Sequence, residues 1–389
     1  MNRVLIAGGG ATEFGEYPDR TGRELFAEAA TSALRESGVE TGAVDAFYYG
    51  NFMGEIADEQ GHQGPLMAEQ LGLERSRTTR VENACASGGY AVAEGVAAVR
   101  SGQADVVLVG GMERMTHLPT AETTDALAMA ADALHETRAG MTFPAAYALL
   151  ANAYFEEYSG SREDLAAIAV KNHEHATENP RAQFREAITR EEALDAPSVA
   201  SPLGLYDACP VTDGAAAAVL VSAEFAAEHD CHAPVEISGS GCAGDSLALQ
   251  DRATLARTLA AERAAADAYA EAAVDPDNID LAEVHDCFTI AEALALEALQ
   301  LYEPGQAIGA ARRGETTKEG DLPVNLSGGL KAKGHPVGAT GVSQLVELTD
   351  LLTGRHPNSE HVPDATVGVT HNAGGTVASA AVHVLEVAE

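Results

Sequence analysis

The sequence predicts an α/β protein made of two units. Short β-rich runs alternate with alanine-rich helical stretches along most of the chain, as they do where helices cover sheets. A chain of 389 residues is too long for one ordinary core, and 46% hydrophobic residues allow a sizeable one. In each unit a β run leads into a turn of small residues, at 81–89 and at 368–376, which is a weak sign of duplication.

The first unit begins with a β run at residues 3–8 and keeps the alternating rhythm up to Met115. Residues 116–208 are then polar and mainly helical, with several Gly and Pro residues, which predicts a large insertion. The α/β rhythm returns after it, in the run DGAAAAVLVS, and again near Pro234. The predicted units are residues 1–233, which include the insertion, and residues 234–389.

Charge excludes several classes of partner. The formal net charge is −35, so the surface should repel nucleic acid and anionic membranes. The acidic residues are spread along the chain, while arginine is kept and lysine is nearly absent. This composition favours a high-salt cytoplasm, the alternative being an ordinary acidic mesophilic protein. The lysines are Lys171, Lys318, Lys331 and Lys333.

The cysteines argue against a disulfide framework and against a zinc site, because their number is odd and no pair has CxxC spacing. The N-terminus lacks the layout of a signal peptide, and no apolar run is long enough to span a membrane. We therefore predict a cytoplasmic protein in which any special cysteine serves chemistry. The five are Cys85, Cys209, Cys231, Cys242 and Cys287.

The first candidate site is Cys85, in the run NACASGG. A β-like run precedes it and a long helix of small residues follows, so Cys85 should lie at or just before a helix N-terminus. The free N–H groups and the dipole there favour a thiolate, so we expect a lowered pKa and a nucleophilic cysteine. The alternative is a small buried cysteine in a tight turn.

The second candidate is His335, which glycines and a proline surround in the run GHPVGATG. Such a loop is constrained, and a rigidly held histidine beside a thiol can take its proton. The alternative is a histidine that only caps the loop.

Two further motifs follow β-like runs. His285 and Cys287 should face one cavity at a strand end, where ligands bind in open α/β sheets, while side-chain alternation points Glu283 and Asp286 away. The run HNAGGT, residues 371–376, offers free N–H groups for an oxyanion, unless it is merely a tight turn.

Together these motifs resemble the thiolase superfamily over essentially the whole chain. NACASGG, HDCF, NLSGGLKAKGHPVGATG and a terminal Gly–Gly loop occur in the family's order and approximate spacing. The resemblance implies a five-layered αβαβα fold of two similar halves, with a loop domain inserted in the first, and a homodimer or homotetramer. It makes Cys85 the acyl-accepting nucleophile and His335 its activator, with the backbone N–H groups of Cys85 and Gly374 as an oxyanion hole.

One departure from the family pattern is informative. Mainstream thiolases carry a second cysteine where this chain has Asn372, and a NEAF-like motif where it has HDCF. HDCF resembles the archaeal and sterol-carrier-protein-type thiolases. That resemblance makes Cys287 the acid/base, with His285 helping His335 to bind the thioester oxygen. The acidic composition fits a haloarchaeal member.

Substrate and partner predictions come from the same resemblance. Coenzyme A thioesters are the implied substrates, with no metal and no permanently bound cofactor. Cys209 falls where many thiolases place a serine near the CoA chain, and Met141 and Phe143 should border the pantetheine tunnel. A small OB-fold/zinc-ribbon protein that bridges to hydroxymethylglutaryl-CoA synthase is an expected partner.

The predicted activity is reversible condensation of two acyl-CoA molecules, acetyl-CoA giving acetoacetyl-CoA, or the reverse thiolysis. The alternatives are a ketoacyl synthase or hydroxymethylglutaryl-CoA synthase of the same superfamily, and a non-catalytic acyl-CoA-binding or scaffold protein. Direction, acyl chain length and pathway stay open, among them mevalonate synthesis, polyhydroxyalkanoate synthesis and fatty-acid breakdown.

We predict that stability depends steeply on salt. Self-repulsion at a net charge of −35 is screened over about 10 Å at 0.1 M salt and about 3 Å at 1 M. Thermal melts should therefore shift to higher temperature between low and molar KCl. A melting temperature that does not respond to KCl would contradict the high-salt interpretation.

Overall fold

The structure is a computed structural model that describes residues 2–388. Its strands are β1 Val4–Ala11, β2 Ala46–Gly50, β3 Arg77–Val81, β4 Val106–Glu113, β5 Ser198–Ala200, β6 Leu203–Gly204, β7 Gly214–Ser222, β8 Val235–Gly244, β9 Leu281–Glu283, β10 Val367–Gly374 and β11 Ser379–Val387. Its α-helices are α1 Gly22–Ser37, α2 Gly54–Ala57, α3 Gln63–Leu71, α4 Ser87–Arg100, α5 Thr120–Ala128, α6 Phe143–Tyr158, α7 Arg162–Ala176, α8 Arg190–Asp195, α9 Ala223–Glu228, α10 Leu259–Ala272, α11 Thr289–Ala298, α12 Ala307–Arg313 and α13 Thr340–Leu352.

Nine strands form one mixed sheet, in the order β3-β2-β4-β7-β1-β8-β11-β10-β9. The sheet consists of two arms that meet where β1 pairs with β8. From this junction outward, the strands of both arms follow the same sequence of antiparallel and parallel pairings. In the first arm β1 and β7, and then β7 and β4, are antiparallel, whereas β4, β2 and β3 are parallel. In the second arm β8, β11 and β10 alternate in the same way, and β9 is parallel to β10. In the second arm, the parallel bridge between Ala282 and Val324 occupies the position that β3 has in the first arm.

The helices add three layers to the two arms of the sheet. Helices α4 and α13 lie between the arms, and the residues of the central core include Val92 and Val96 of α4 with Val342 and Leu345 of α13. Helix α1 covers the outer face of the first arm. Helices α10 and α11 cover the second. The prediction of a five-layered αβαβα fold is confirmed.

The segment between β4 and β7 holds α5 to α8 and the short hairpin of β5 and β6, which corresponds to the insertion predicted at 116–208. The boundary predicted after residue 233 falls between α9 and β8. Within residues 2–388, no helix combines the length and the hydropathy needed to cross a membrane.

One expectation about the duplication is wrong. The turn at 81–89 follows β3 and leads into α4, so its counterpart in the second arm is the segment that leads into α13. The turn at 368–376 instead follows β10, the counterpart of β4. Both turns end near the same cavity, and small residues recur in both for that reason. Local composition alone does not distinguish such a shared location from a true repeat.

The N-termini of α4 and α13 meet backbone to backbone. A Cβ atom on Gly88 would lie 2.8 Å from the Gly338 carbonyl oxygen and 3.0 Å from the Gly341 nitrogen, so only glycine fits. This close approach carries Cys85, just before α4, to His335, just before α13.

We predict that Gly88→Ala destabilises the protein by about 1–3 kcal/mol, the usual cost of forcing atoms into a packed core, and lowers activity. Both effects follow because the new Cβ pushes α4 from α13 and Cys85 from His335. Urea unfolding and an assay of catalytic turnover would measure them. Gly42→Ala is the control, since a Cβ there has nothing within 4 Å. Equal behaviour of the two variants would contradict the prediction.

Candidate active site

All four sequence motifs contribute to one cavity of about 250 Å³. Cys85, His335 and Cys287 line it, and the insertion supplies much of the opposite wall. That wall is largely apolar. Its members include Met115, Leu127, Thr142, Phe143, Pro144 and Tyr147.

Cys85 sits in a strained turn. Ala84 before it has φ 48°, in the left-handed region, and the Ser87 hydroxyl ties the turn by accepting from the Asn83 N–H. The cysteine is partly exposed, but to the cavity, and loss of water around the thiol raises the pKa of Cys85 to about 12. The expectation of a lowered pKa is therefore wrong, because burial outweighs the free N–H groups of the helix.

The backbone N–H groups of Cys85 and Gly375 act on the Cys85 thiol and partly oppose this rise in its pKa. Gly375 lines the cavity. Gly374, the residue predicted from the sequence, is the last residue of β10 and is not among the lining residues.

Both the backbone and the ring of His335 are held by hydrogen bonds. Its backbone N–H donates to the Thr212 hydroxyl at 3.1 Å, and its Nδ1 lies 2.7 Å from the Thr340 hydroxyl. Its Nε2 is buried and has no hydrogen-bond partner among residues 2–388. Burial lowers the pKa of His335 to about 3, so the ring is neutral.

His285 is oriented by Asn372. The Asn372 Oδ1 accepts from the Gly89 N–H at 3.0 Å, and Nδ2 donates to the Cys85 carbonyl at 3.0 Å, which settles which end of the amide is which. Nδ2 also lies 3.1 Å from His285 Nδ1 and therefore donates to it. Burial, with help from His335, lowers the pKa of His285 well below its usual value. A neutral ring that accepts at Nδ1 carries its proton at Nε2, which has no partner in the described structure.

Cys85 Sγ and one nitrogen of each histidine lie within 4.8 Å of one another. The two rings are nearly perpendicular, with centroids 4.9 Å apart. A thiol and two imidazoles at this spacing suit two kinds of site, a nucleophile with its base and hydrogen-bond donor, or a metal site.

Cys287 is 6% exposed, and burial raises the pKa of its thiol well above the usual value. The Tyr147 hydroxyl acts on this thiol and limits the rise in its pKa, and it donates to the Gly375 carbonyl at 2.9 Å. Its ring stacks on Phe288 at 4.6 Å. Sequence reasoning missed Tyr147, because a tyrosine within an apolar helix carries no mark of the site it faces.

Other predicted residues are placed as follows. Glu283 and Asp286 bond Ser327 and the backbone of Leu330, away from the cavity. Cys209 and Phe143 line the cavity. Met141 does not line it and packs against the core of the second arm. The chain turns into α6 after Met141, and Thr142, Phe143 and Pro144, which follow, line the cavity.

Fold and site together define a cysteine-dependent acyltransferase of the thiolase type. The family model described as the thiolase N-terminal domain matches residues 4–224, and the one described as thiolase C-terminal domain-like matches residues 241–387. The chain therefore belongs to the thiolase family.

Individual relatives agree with this assignment. An acetyl-CoA acetyltransferase of Methanothermobacter thermautotrophicus is 43% identical over 99% of both chains. Sterol carrier protein 2 of Bos taurus is 32% identical over 96% of this chain and 70% of its own length. A solved structure described as the Ltp2–ChsH2(DUF35) aldolase has a TM-score of 0.86 and 25% identity, over 99% of this chain and 98% of the other. The resemblance to archaeal and sterol-carrier-protein-type thiolases is confirmed, and the protein is an acyltransferase that uses CoA thioesters.

We predict that Asn372→Asp moves the proton of His285 from Nε2 to Nδ1. The change keeps the shape of the side chain but replaces the donor at Nδ1 with an acceptor, so the ring must offer its own N–H there. Nitrogen-15 NMR of the histidine rings reports this shift, which a merely structural change would not produce. Turnover should fall about 10²–10³-fold, the usual cost of one lost oxyanion donor.

The control for Asn372→Asp is Asn152→Asp, since Asn152 binds only the carbonyls of Ala148 and Ser201 on the surface of α6. It adds the same charge and should keep both the His285 signals and the rate. Unchanged His285 resonances in Asn372→Asp would show that Asn372 does not select the tautomer.

Proposed function

We propose that the protein catalyses the reversible condensation of two acetyl-CoA molecules to acetoacetyl-CoA through an acyl-enzyme on Cys85. The observation that carries the proposal is the meeting of Cys85 Sγ with the rings of His285 and His335, in a cavity that Cys287 also lines. The resting groups are neutral, so every charge arises only when a thioester fills the cavity and its carbonyl oxygen meets the donors.

In the first stage Cys85 attacks the thioester and His335 takes its proton. His335 is a base at Nε2 when the Thr340 hydroxyl donates to the Pro336 carbonyl, 3.1 Å away, and accepts from Nδ1. The N–H groups of Cys85 and Gly375 hold the developing oxyanion, Gly375 replacing Gly374 in this role. The CoA thiolate leaves and takes a proton from Cys287, whose raised pKa keeps it a thiol until then.

In the second stage the Cys287 thiolate removes a proton from the methyl group of acetyl-CoA. The enolate oxygen accepts from His285 Nε2–H and from the protonated His335. The carbanion attacks the acyl group on Cys85, and the Cys85 thiolate that leaves recovers its proton from His335. All protons balance over the cycle, and no redox step occurs.

We propose no metal at this site and no permanently bound cofactor. The proton on His285 Nε2 is the reason, because a protonated ring nitrogen has no lone pair for a cation. Activity that is unchanged by prolonged dialysis against a strong chelator supports this assignment, and loss restored by zinc would overturn it.

The rivals are less well supported. A ketoacyl synthase would decarboxylate malonyl units, and the placement of Cys287 in the cavity favours a thiolase. A scaffold that only binds acyl-CoA would have no use for a thiol beside two histidines whose Nε2 atoms have no partner in the described structure.

We also propose a homo-oligomer that works with a small protein of the OB-fold/zinc-ribbon type, which bridges to hydroxymethylglutaryl-CoA synthase. Support comes from the aldolase relative, whose name pairs it with a DUF35 protein. A cytoplasmic location and a haloarchaeal origin remain predictions.

We predict that Cys287→Ala accepts an acetyl group on Cys85 but loses condensation and thiolysis by about 10²–10⁴-fold, the usual value of a positioned acid/base. Mass spectrometry after brief exposure to acetyl-CoA locates the acetyl group, and coupled assays measure both directions. Cys231→Ala is the control, since Cys231 lies after α9 and outside the cavity. Near wild-type condensation by Cys287→Ala, or acetylation of Cys209 with Cys85→Ser active, would overturn the mechanism.

A further inference from the structure

A second, larger cavity adjoins the catalytic one. Its volume is about 760 Å³, and it shares the wall formed by Ala208, Cys209 and Pro210 with the catalytic cavity. Phe184 and Tyr206 are among the residues that line it. The mechanism proposed above uses nothing in this second cavity.

Lys331 lines the second cavity and is 3% exposed. The other two buried lysines are paired: Lys171 with Glu292 at 2.9 Å, and Lys333 with Glu347 at 3.8 Å. Within residues 2–388 the Lys331 ammonium has neither a salt bridge nor a hydrogen bond, and its contact is the Tyr206 ring, 5.8 Å from Nζ to the centroid. Three N–H donors therefore stand unused at a buried position.

The nearest carboxylates do not satisfy this ammonium. Asp286 accepts from the backbone N–H groups of Leu330 and Lys331 and from Asn172, while Asp207 accepts from Gly204 and Thr289. Burial lowers the pKa of Lys331, and Cys209, Asp286 and Asp207 only partly oppose this fall. A buried ammonium without a partner is costly, so this position favours an anion that enters from the cavity.

Other groups in the cavity suit such an anion. His173 Nε2 is buried and has no partner in the described structure, and the His173 ring packs against Phe184 and Tyr206. Arg185 is half exposed, and its nearest carboxylate, Glu13, is 3.8 Å away. Positive groups are scarce on a chain of net charge −35, yet Lys331 and Arg185 both line this cavity, against the single carboxylate of Glu186.

We propose that this second cavity binds a phosphate group, with Lys331 as its principal ligand. The phosphate comes either from the CoA moiety of the substrate or from free phosphate in the cell. The first source rests on the proposed function, because it requires that a CoA thioester occupy the adjoining catalytic cavity. The second source does not.

The test compares Lys331→Met with Lys318→Met. Methionine keeps an unbranched chain of similar length and removes the charge. Lys318 loses the same charge outside the cavity, where it pairs with Glu174 at 3.5 Å. Lys331→Arg keeps the charge and should retain binding.

If the phosphate belongs to CoA, Lys331→Met raises KM for acetyl-CoA about tenfold or more, the typical effect of losing a hydrogen bond to a charged group. It leaves KM for acetyl-pantetheine, which has no diphosphate, unchanged. If the ligand is free phosphate, inorganic phosphate at constant KCl raises the melting temperature of the wild type and of Lys318→Met but not that of Lys331→Met.

Melting in the absence of phosphate gives a further check that does not depend on catalysis. Removal of an unpaired buried charge should leave the melting temperature of Lys331→Met equal to or above that of the wild type. The proposal is overturned if Lys331→Met is less stable than Lys318→Met, or if neither KM for acetyl-CoA nor the phosphate-induced melting shift changes. A failure of condensation with intact phosphate binding would count against the proposed function alone.

Discussion

The contact between the N-termini of α4 and α13 is the constraint on which the rest of this structure depends. Gly88, Gly338 and Gly341 let the two helices approach backbone to backbone, and a Cβ on Gly341 would lie 2.2 Å from the Gly89 nitrogen. The buried Glu113 carboxylate ties the same place together, since it accepts from the N–H groups of Gly338 and Met53. Cys85 and His335 belong to different arms of the sheet and meet only because this contact is so close.

In the mechanism that we propose, the chemistry follows from hydrogen bonds rather than from resting charges. Burial keeps Cys85 and Cys287 as thiols and both histidines neutral, so the empty site holds no ion pair. What the fold supplies is direction, through Asn372 at His285 and Thr340 at His335. Donors aimed in advance at a place where charge will develop are effective because they need no reorganisation during the reaction.

The few lysines of this acidic protein serve mainly to balance charge in its interior. Three of the four are buried, and two of these neutralise carboxylates behind the catalytic segment, Lys171 at Glu292 and Lys333 at Glu347. Arginine forms most of the surface ion pairs instead. Lysine is thus retained where its compact ammonium fits into the protein interior. Lys331 is the third buried lysine, and the described residues provide no counter-charge for it.

The sequence by itself determined the fold class and the family, and it singled out most of the polar side chains that the structure brings to the cavity. These rest on local signals: strand and helix periodicity, glycine-rich turns, and motifs in which residue type and order carry the chemistry. Cys85, His285, Cys287 and His335 needed no structure to be singled out.

Only the tertiary structure decided how those residues behave. The sign of the pKa shift at Cys85, the position of Gly375 in the cavity wall, the hydrogen bonds of Asn372 and Tyr147 and the isolation of Lys331 depend on neighbours that are distant along the chain. Desolvation and hydrogen-bond direction are set by all the atoms around a group. A local sequence pattern contains only a few of these atoms, so it names a side chain without fixing its electrostatic environment.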